Sequence, residues 1–569
     1  MARSHAMRPE NGEASDATKA TRYLCAGVYL DREFREMIIR RVYNDSKHMV
    51  APSYGFDLVP VVIHAWRAWW LETLKWLLLL AILFVAFIRA PAAAIAAVAL
   101  FGLLWLAALA VKSAMIAIPL KAKERRDRFL RRTRWHSEIA DLATHLRTIR
   151  LAGIGGGYLI ISVIALSVFA RIPLPQLLQE TATIATLVAF VACGCSAAQR
   201  VALHHTFKRP LPWSGGARYQ TINHQQHHPY VIYKRPTKED EKPKDFRDIL
   251  ELDDAHKPFV GAGRLIHRWN PPLHIHLLRR GPGSMKDREL HPSEIKAHEL
   301  VTYLKKEMHR LDGQDDATSL PNFSTTDRIY IAEADVGGDR EWLKEYPSEQ
   351  QITDIIERPF DRFHHFLEIQ TSVQGELVTT VFLRTTVKGR ALSLDFAACA
   401  LTRTPDKYHL LDEYGEDGTA AILRTAIRAL IDLPTDIIQS WRLVHVPAIL
   451  IGALRAHRVR VMDPKRGVKI GAKLSVREEK RMPWESAQLD RTLISDHVKL
   501  IEDRLLKAAT EFLRKKDVDV SEFEERATNI INTGIMNFGE SMNVNNSAIG
   551  SNAIKMDLPE SFINPGGHA

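Results

Sequence analysis

The sequence predicts an α-helical membrane region of four transmembrane helices in two hairpins, followed by a cytoplasmic α+β domain with an antiparallel meander. Three observations predict it. Four strongly apolar segments crowd into residues 66–204. A basic loop, residues 121–150, splits them into two pairs, with ten Lys/Arg against four Asp/Glu. Beyond them the chain turns polar, and period-two alternation runs through residues 366–401.

Residues 1–65 read as an N-terminal cytoplasmic segment. Its first twenty residues are small and polar and are expected to be disordered. Tyr23 to Tyr43 has helical spacing, with Leu24, Val28, Phe34, Ile38 and Ile39 on one face. Pro52 and Gly55 break it.

Residues 66–204 form the membrane region. Pro91–Val111 and Leu151–Ala170 carry no charge, and about 20 apolar residues cover roughly 30 Å of hydrocarbon. The first segment, Trp76–Ile88, spans once Trp69–Lys75 are added; Glu72 and Lys75 then lie near one end, where long side chains snorkel. Trp66, Trp69, Trp70 and Trp76 gather at that end, as in an interfacial aromatic belt. Thr181–Ala198 is short but uncharged.

Short loops rich in Lys/Arg stay inside. That puts both termini in the cytoplasm of a multi-pass plasma-membrane protein, with loop 121–150 against anionic headgroups. Residues 1–204 net +11 within a chain of +10, so the basic character belongs to the membrane half and indicates no nucleic acid.

Residues 205–290 read as an irregular linker with short strands such as Tyr230–Lys234. Residues 291–486 read as the α+β domain. A helix is expected from Pro292 to Leu311, then strands Phe366–Val373, Glu376–Thr386 and Arg390–Leu401, turned at Gln374-Gly375 and Lys388-Gly389, with one face wet. Helices follow at Gly418–Ile431 and Pro434–His445, with a break at Pro447. In 487–516 a long amphipathic helix carries Ile494, Val498, Ile501, Leu505 and Phe512 at heptad-like spacing, which points to docking on the domain or to a coiled coil joining copies. The tail, 517–569, is Asn/Gly-rich. Low hydrophobicity reads as a disordered tail, while Asn532-Thr-Gly534 and Asn537-Phe-Gly539 repeat an N-x-G unit whose uncharged β-prone surroundings suit assembly through residues 528–553.

Candidate chemistry is sparse. Cys25, Cys193, Cys195 and Cys399 have no zinc spacing and read as packing thiols. Gly153-Ile-Gly-Gly-Gly157 lies inside a span, where close helix approach explains it. His224, His227 and His228 form an H-x-x-H-H box whose imidazoles suit iron. Membrane di-iron desaturases and hydroxylases resemble this, but they need two further boxes. His136, His145, His267, His274 and His276 do not supply them.

Several stretches resemble a group of actinobacterial multi-pass membrane proteins with a cytoplasmic domain: Tyr23–Val42, Met49–Val62, Pro258–Gly263, and the closing helix with its Asn/Gly tail. The resemblance implies topology and transfers no catalytic residue. The expectation is an integral membrane protein displaying a cytoplasmic interaction or assembly domain, with no cofactor. A metal-dependent oxidoreductase using the His224–His228 box is the alternative, and a small-solute transporter or channel the third.

Overall fold

The computed structural model describes residues 18–129, 136–208, 215–233, 259–291, 294–312, 319–337, 340–358, 362–409, 418–458, 470–472 and 474–533. The N-terminal helix expected over Tyr23–Tyr43 is broken into α1 (Lys19–Leu30) and α2 (Arg32–Met37), the second continuing as a π-helical turn, Ile38–Tyr43. Asp31 causes the break. Its carboxylate accepts from Phe34 N at 3.0 Å, which caps a new helix instead of continuing the old one.

Helix α3 (Leu58–Arg89) has 32 residues and so extends about 48 Å. It belongs to two environments. Leu58, Val62, Ala65 and Trp69 are buried in a cluster with Leu24, Phe34 and Ile38 of the N-terminal helices. From Trp70 onward, Leu74, Leu77 and Phe84 stand exposed. Helices α4 (Pro91–Phe129), α5 (His136–Phe169) and α6 (Leu174–Lys208) complete the bundle. Loop 121–150 is thus largely the helical ends of α4 and α5, and residues 130–135 lie outside the described set. The glycines near residue 155 do serve close packing, at one position only. A Cβ on Gly155 would sit 3.2 Å from Leu106 of α4, whereas Gly153 and Gly157 have nothing within 4 Å.

The break expected between Ile431 and Pro434 is absent: one α-helix runs over Gly418–Gln439. In chain order, α7 (Ala217–Gln226) precedes the sheet, and α8 (Ala297–Met308) and α9 (Glu349–Glu357) lie between its strands. Then α10 (Gly418–Gln439) runs through Pro434, a 3-10 stretch Ser440–His445 follows, and α11 (Val446–Arg458) starts with Pro447 in its first turn. Among the described residues, five helical stretches are long and apolar enough to cross a membrane: Leu58–Arg89, Pro91–Lys121, Ala143–Phe169, Leu174–His205 and Thr435–His457. Sequence reading foresaw the first four and assigned the last to the soluble domain.

Among the described residues the sheet has seven strands. The expected meander is present as β5 (His364–Val373), β6 (Leu377–Lys388) and β7 (Ala391–Leu401), all antiparallel. Gln374 and Gly375 both have positive φ, and Glu376 N donates to Val373 O at 3.0 Å, which closes the three-residue turn between the strands. Strand β4 (Ser324–Ala332) pairs antiparallel with β5, and β1 (Tyr230–Tyr233) lies parallel to β4 at one edge. At the other edge β2 (Arg264–Arg268) and β3 (Leu273–His276) line up end to end along β7. Residues 205–290 therefore supply strands at both edges of the sheet.

Neither face of the meander is wet. Helix α12 (Gln488–Lys515), with α8 and α13 (Ser521–Thr533), covers one side over Leu367, Ile369, Val381, Leu392 and Phe396. Tyr54 and Phe259 cover the other over Val378, Phe382 and Cys399. Of the polar residues expected on the wet face, Glu368 is buried beneath Tyr54, and Gln370, Ser393 and Asp395 are half-buried.

Candidate functional site

Three stretches far apart in sequence meet at Tyr54. Its ring is buried beside Phe259, Ala262, Tyr330 and Phe382, and its hydroxyl donates to Glu368 Oε2 at 2.9 Å. The backbones come too close for side chains. A Cβ on Gly375 would lie 2.0 Å from Gly55 O, and one on Gly261, at φ +100, 2.6 Å from Pro52 O. Residues 52–55 and 259–263, within stretches singled out above by resemblance, thus form one joint on the sheet.

A buried charge pair stands at its centre. The register sets Thr326 opposite Glu368, so Arg328 is the diagonal neighbour. Arg328 Nε donates to Glu368 Oε2 at 3.0 Å, Thr326 Oγ1 donates to Oε1 at 3.0 Å, and Arg328 Nη1 donates to His228 O at 2.8 Å. Burial works against the Arg328 cation, but the Glu368 carboxylate outweighs it and its pKa stands above the ordinary value. Burial, and then Glu368, push the Tyr54 phenol up.

His228 closes this joint. Its ring stacks on Tyr346 and Tyr230, with centroids 5.2 and 5.5 Å away, and Nδ1 accepts from Tyr230 N at 3.2 Å. Burial first, then His224 and Arg328, push its pKa down to about 3 against backbone hydrogen bonds to Tyr230 and Glu345. The imidazole is neutral at physiological pH. His224 lies 5.0 Å from it ring to ring, and burial lowers its pKa too. His227 points elsewhere: it is exposed, with Nδ1 3.0 Å from Asn223 O at the end of α7. The box therefore does not converge on one point. Among the described residues no three His, Cys, Asp or Glu side chains gather closely enough to hold a metal.

A second joint links the N-terminal helices to the bundle. Arg35, 3% exposed, donates to Val28 O at 3.0 Å and pairs with Glu72 of α3. Arg32 Nη1 donates to Gln439 Oε1 at 2.6 Å, and the guanidinium lies 4.5 Å over the Trp76 ring. Lys75 Nζ pairs with Asp436 of α10 at 2.8 Å, and Arg442 with Glu36 at 3.7 Å. Burial lowers the Arg35 pKa to about 10, with Arg32 adding to it. Two arginines crowded against few carboxylates are held by geometry, and the joint closes only when α2, α3 and α10 are all in place. Beside it a cavity of about 340 Å³ is lined by Arg41, Asp45, His48, Ser53 and Ser475 among apolar residues; His48 Nδ1 and Asp45 Oδ2 are 2.8 Å apart.

The other expected residues fall elsewhere. Ile494, Val498, Ile501, Leu505 and Phe512 are all buried in the core that α12 builds on the sheet, so this stripe is not a surface for a second copy. The apolar rhythm correctly marked a helix; it could not say which neighbour the face would meet. Asn532 sits in the last turn of α13, while Gly534, Asn537 and Gly539 lie outside the described residues. Cys25 and Cys399 are buried thiols, and Cys193 Sγ donates to Ala426 O of α10 at 3.4 Å.

Sequence reading missed Tyr54, Arg328, Glu368 and the Lys75–Asp436 pair. The one available signal was Arg328 inside a run rich in β-branched and aromatic residues, where a charge needs a partner. No curated protein and no solved structure is significantly similar to this chain. A family model does match: an AbeC-like domain covers residues 268–545, from the end of β2 through α10, α11 and α12 to beyond α13.

Proposed function

We propose that this chain is an integral membrane protein whose α+β domain sits on the cytoplasmic face and acts by binding other molecules, held rigidly by four membrane-spanning helices. The observation that carries this reading is α3. One unbroken helix is buried in the α+β body at its start and presents apolar side chains outward beyond Trp70. No break interrupts α3 between its buried start and its exposed end, and the charged joint braces the crossing point.

Parity supports four crossings rather than five. Tyr54 precedes the bundle and touches Glu368, which follows it, so an even number of crossings lies between them. Helix α12 follows Thr435–His457 yet shares a core with β7, which precedes it. Orientation rests on the basic residues of 121–150, which suit the anionic cytoplasmic leaflet. Tail residues 528–553 are the proposed assembly segment; a peptide of this range that stays monomeric removes that part.

Reporter fusions test the topology. Cytoplasmic signals after Arg134 and Gly418 and an external one after Pro175 are expected, and an external signal at Arg134 inverts the proposal. Metal analysis tests the mode of action. Stoichiometric metal lost on His227→Ala replaces binding with metal-dependent catalysis.

A further inference from the structure

We infer that residues 418–458 are an in-plane membrane element, lying in the anionic leaflet on the side of the α+β domain with its apolar face among the lipid chains. This rests on the membrane reading of the bundle. Three observations carry it.

Connectivity comes first. Thr435–His457 is apolar enough to cross, but a single crossing there would put α12 on the opposite side from β7, with which it shares a core. Ala472 N also donates to Ile232 O of β1 at 3.0 Å, so the chain is already back at the sheet soon after α11. The segment must leave on the side it enters.

Its tethers agree. Gln439 accepts from Arg32, Arg442 pairs with Glu36, and Ile449 O accepts from Asn44 Nδ2 at 3.0 Å. Residues 439–449 thus run alongside 32–44, outside the bundle. Upstream, Leu433 and Ile437 pack with Leu79, Phe101 and Val188 of the bundle. Leu79, Phe101 and Val188 belong to the apolar runs of the spanning helices, so α10 rests against their flank there. Neither helix suits a crossing: α11 has 13 residues, about 20 Å, and α10 carries Arg424, Arg428, Asp432 and Asp436.

The exposed face names its occupant. Leu430, Ile431, Ile438, Trp441, Val444 and Leu454 are exposed, Val444 at 79%. This face is flanked along the chain by exposed Arg424, Arg428 and Arg455. Apolar residues with basic neighbours and a tryptophan between them suit the boundary of an anionic leaflet. A protein partner would leave the same apolar strip facing the bilayer beside the bundle.

The test uses the full-length chain in vesicles of zwitterionic and anionic phospholipid. An environment-sensitive fluorophore is attached at Val444→Cys, or at Val168→Cys on the bundle surface, with the wild-type chain labelled in parallel as background. Lipids brominated near the headgroup or deep in the chains act as quenchers. Stronger loss of emission at position 444 with shallow than with deep bromines is the expected result. Strongest loss with deep bromines would mean a crossing, and no loss there while position 168 is quenched would put the face off the membrane; either overturns the inference alone. Absence of quenching at both positions overturns the membrane reading itself.

Discussion

Glu368 and Arg328 are almost fully buried, yet together with Tyr54 and Thr326 they satisfy one another. Removing one member strands the other. Glu368→Ala is expected to cost about 3–5 kcal/mol, with Arg328→Met/Glu368→Leu recovering much of it, read from unfolding midpoints in detergent. His228 gives the domain a pH dependence. Its folded pKa, about 3, lies below the ordinary value near 6.5, so the unfolded chain takes up the proton first. Stability from this group is complete above about pH 6.5 and falls as pH drops toward 3, by roughly 1.4 kcal/mol per unit. Asp327 acts lower. Burial would raise its pKa, but His365 and Lys305 hold it at about 2, so its contribution persists above pH 4 and fades only below that. His228→Gln should flatten the unfolding midpoint between pH 6.5 and 5. An unchanged slope in that variant would assign the dependence to another group. The residue types of this joint were readable in the sequence; their convergence was not, because Tyr54, His228, Arg328 and Glu368 come from four separate elements.

Helix α12 shows what an element's pattern can and cannot specify. A stripe at Ile494, Val498, Ile501, Leu505 and Phe512 predicts a helix over 487–516, and α12 spans Gln488–Lys515. The same stripe fits a sheet or a second helix equally well, since both offer an apolar surface. Here it meets β6 and α8. Leu505→Lys is therefore expected to unfold the domain, seen as loss of protease resistance and of the monodisperse species in gel filtration. A folded, smaller species would restore the coiled-coil reading. Helix α10 teaches the converse. Pro434 did not end it, because neighbouring helices hold the turn in place while Pro447 sits harmlessly near a helix start.

Across the whole molecule, the Arg35–Glu72 and Lys75–Asp436 pairs join residues 37 and 361 positions apart in the chain. Glu72→Gln removes the anion facing a buried guanidinium. It should cost about 3 kcal/mol locally and accelerate hydrogen exchange over residues 32–43, with the sheet strands unaffected. Unchanged exchange in α2 would mean that apolar packing alone holds the joint. Uniform acceleration, sheet included, would mean that body and bundle unfold as one unit.

The sequence by itself determined the apolar length of the four bundle helices, the meander and its turns, and the position of the closing helix. These depend on local quantities: run length, periodicity and turn chemistry. Tertiary structure decided which faces were covered, that residues 205–290 close both sheet edges, and that a fifth apolar stretch lies beside the bundle. Burial is a property of neighbours. A face of Glu, Thr and His looks wet in one dimension and becomes an interior when a distant segment brings Tyr54 and complementary charge to it.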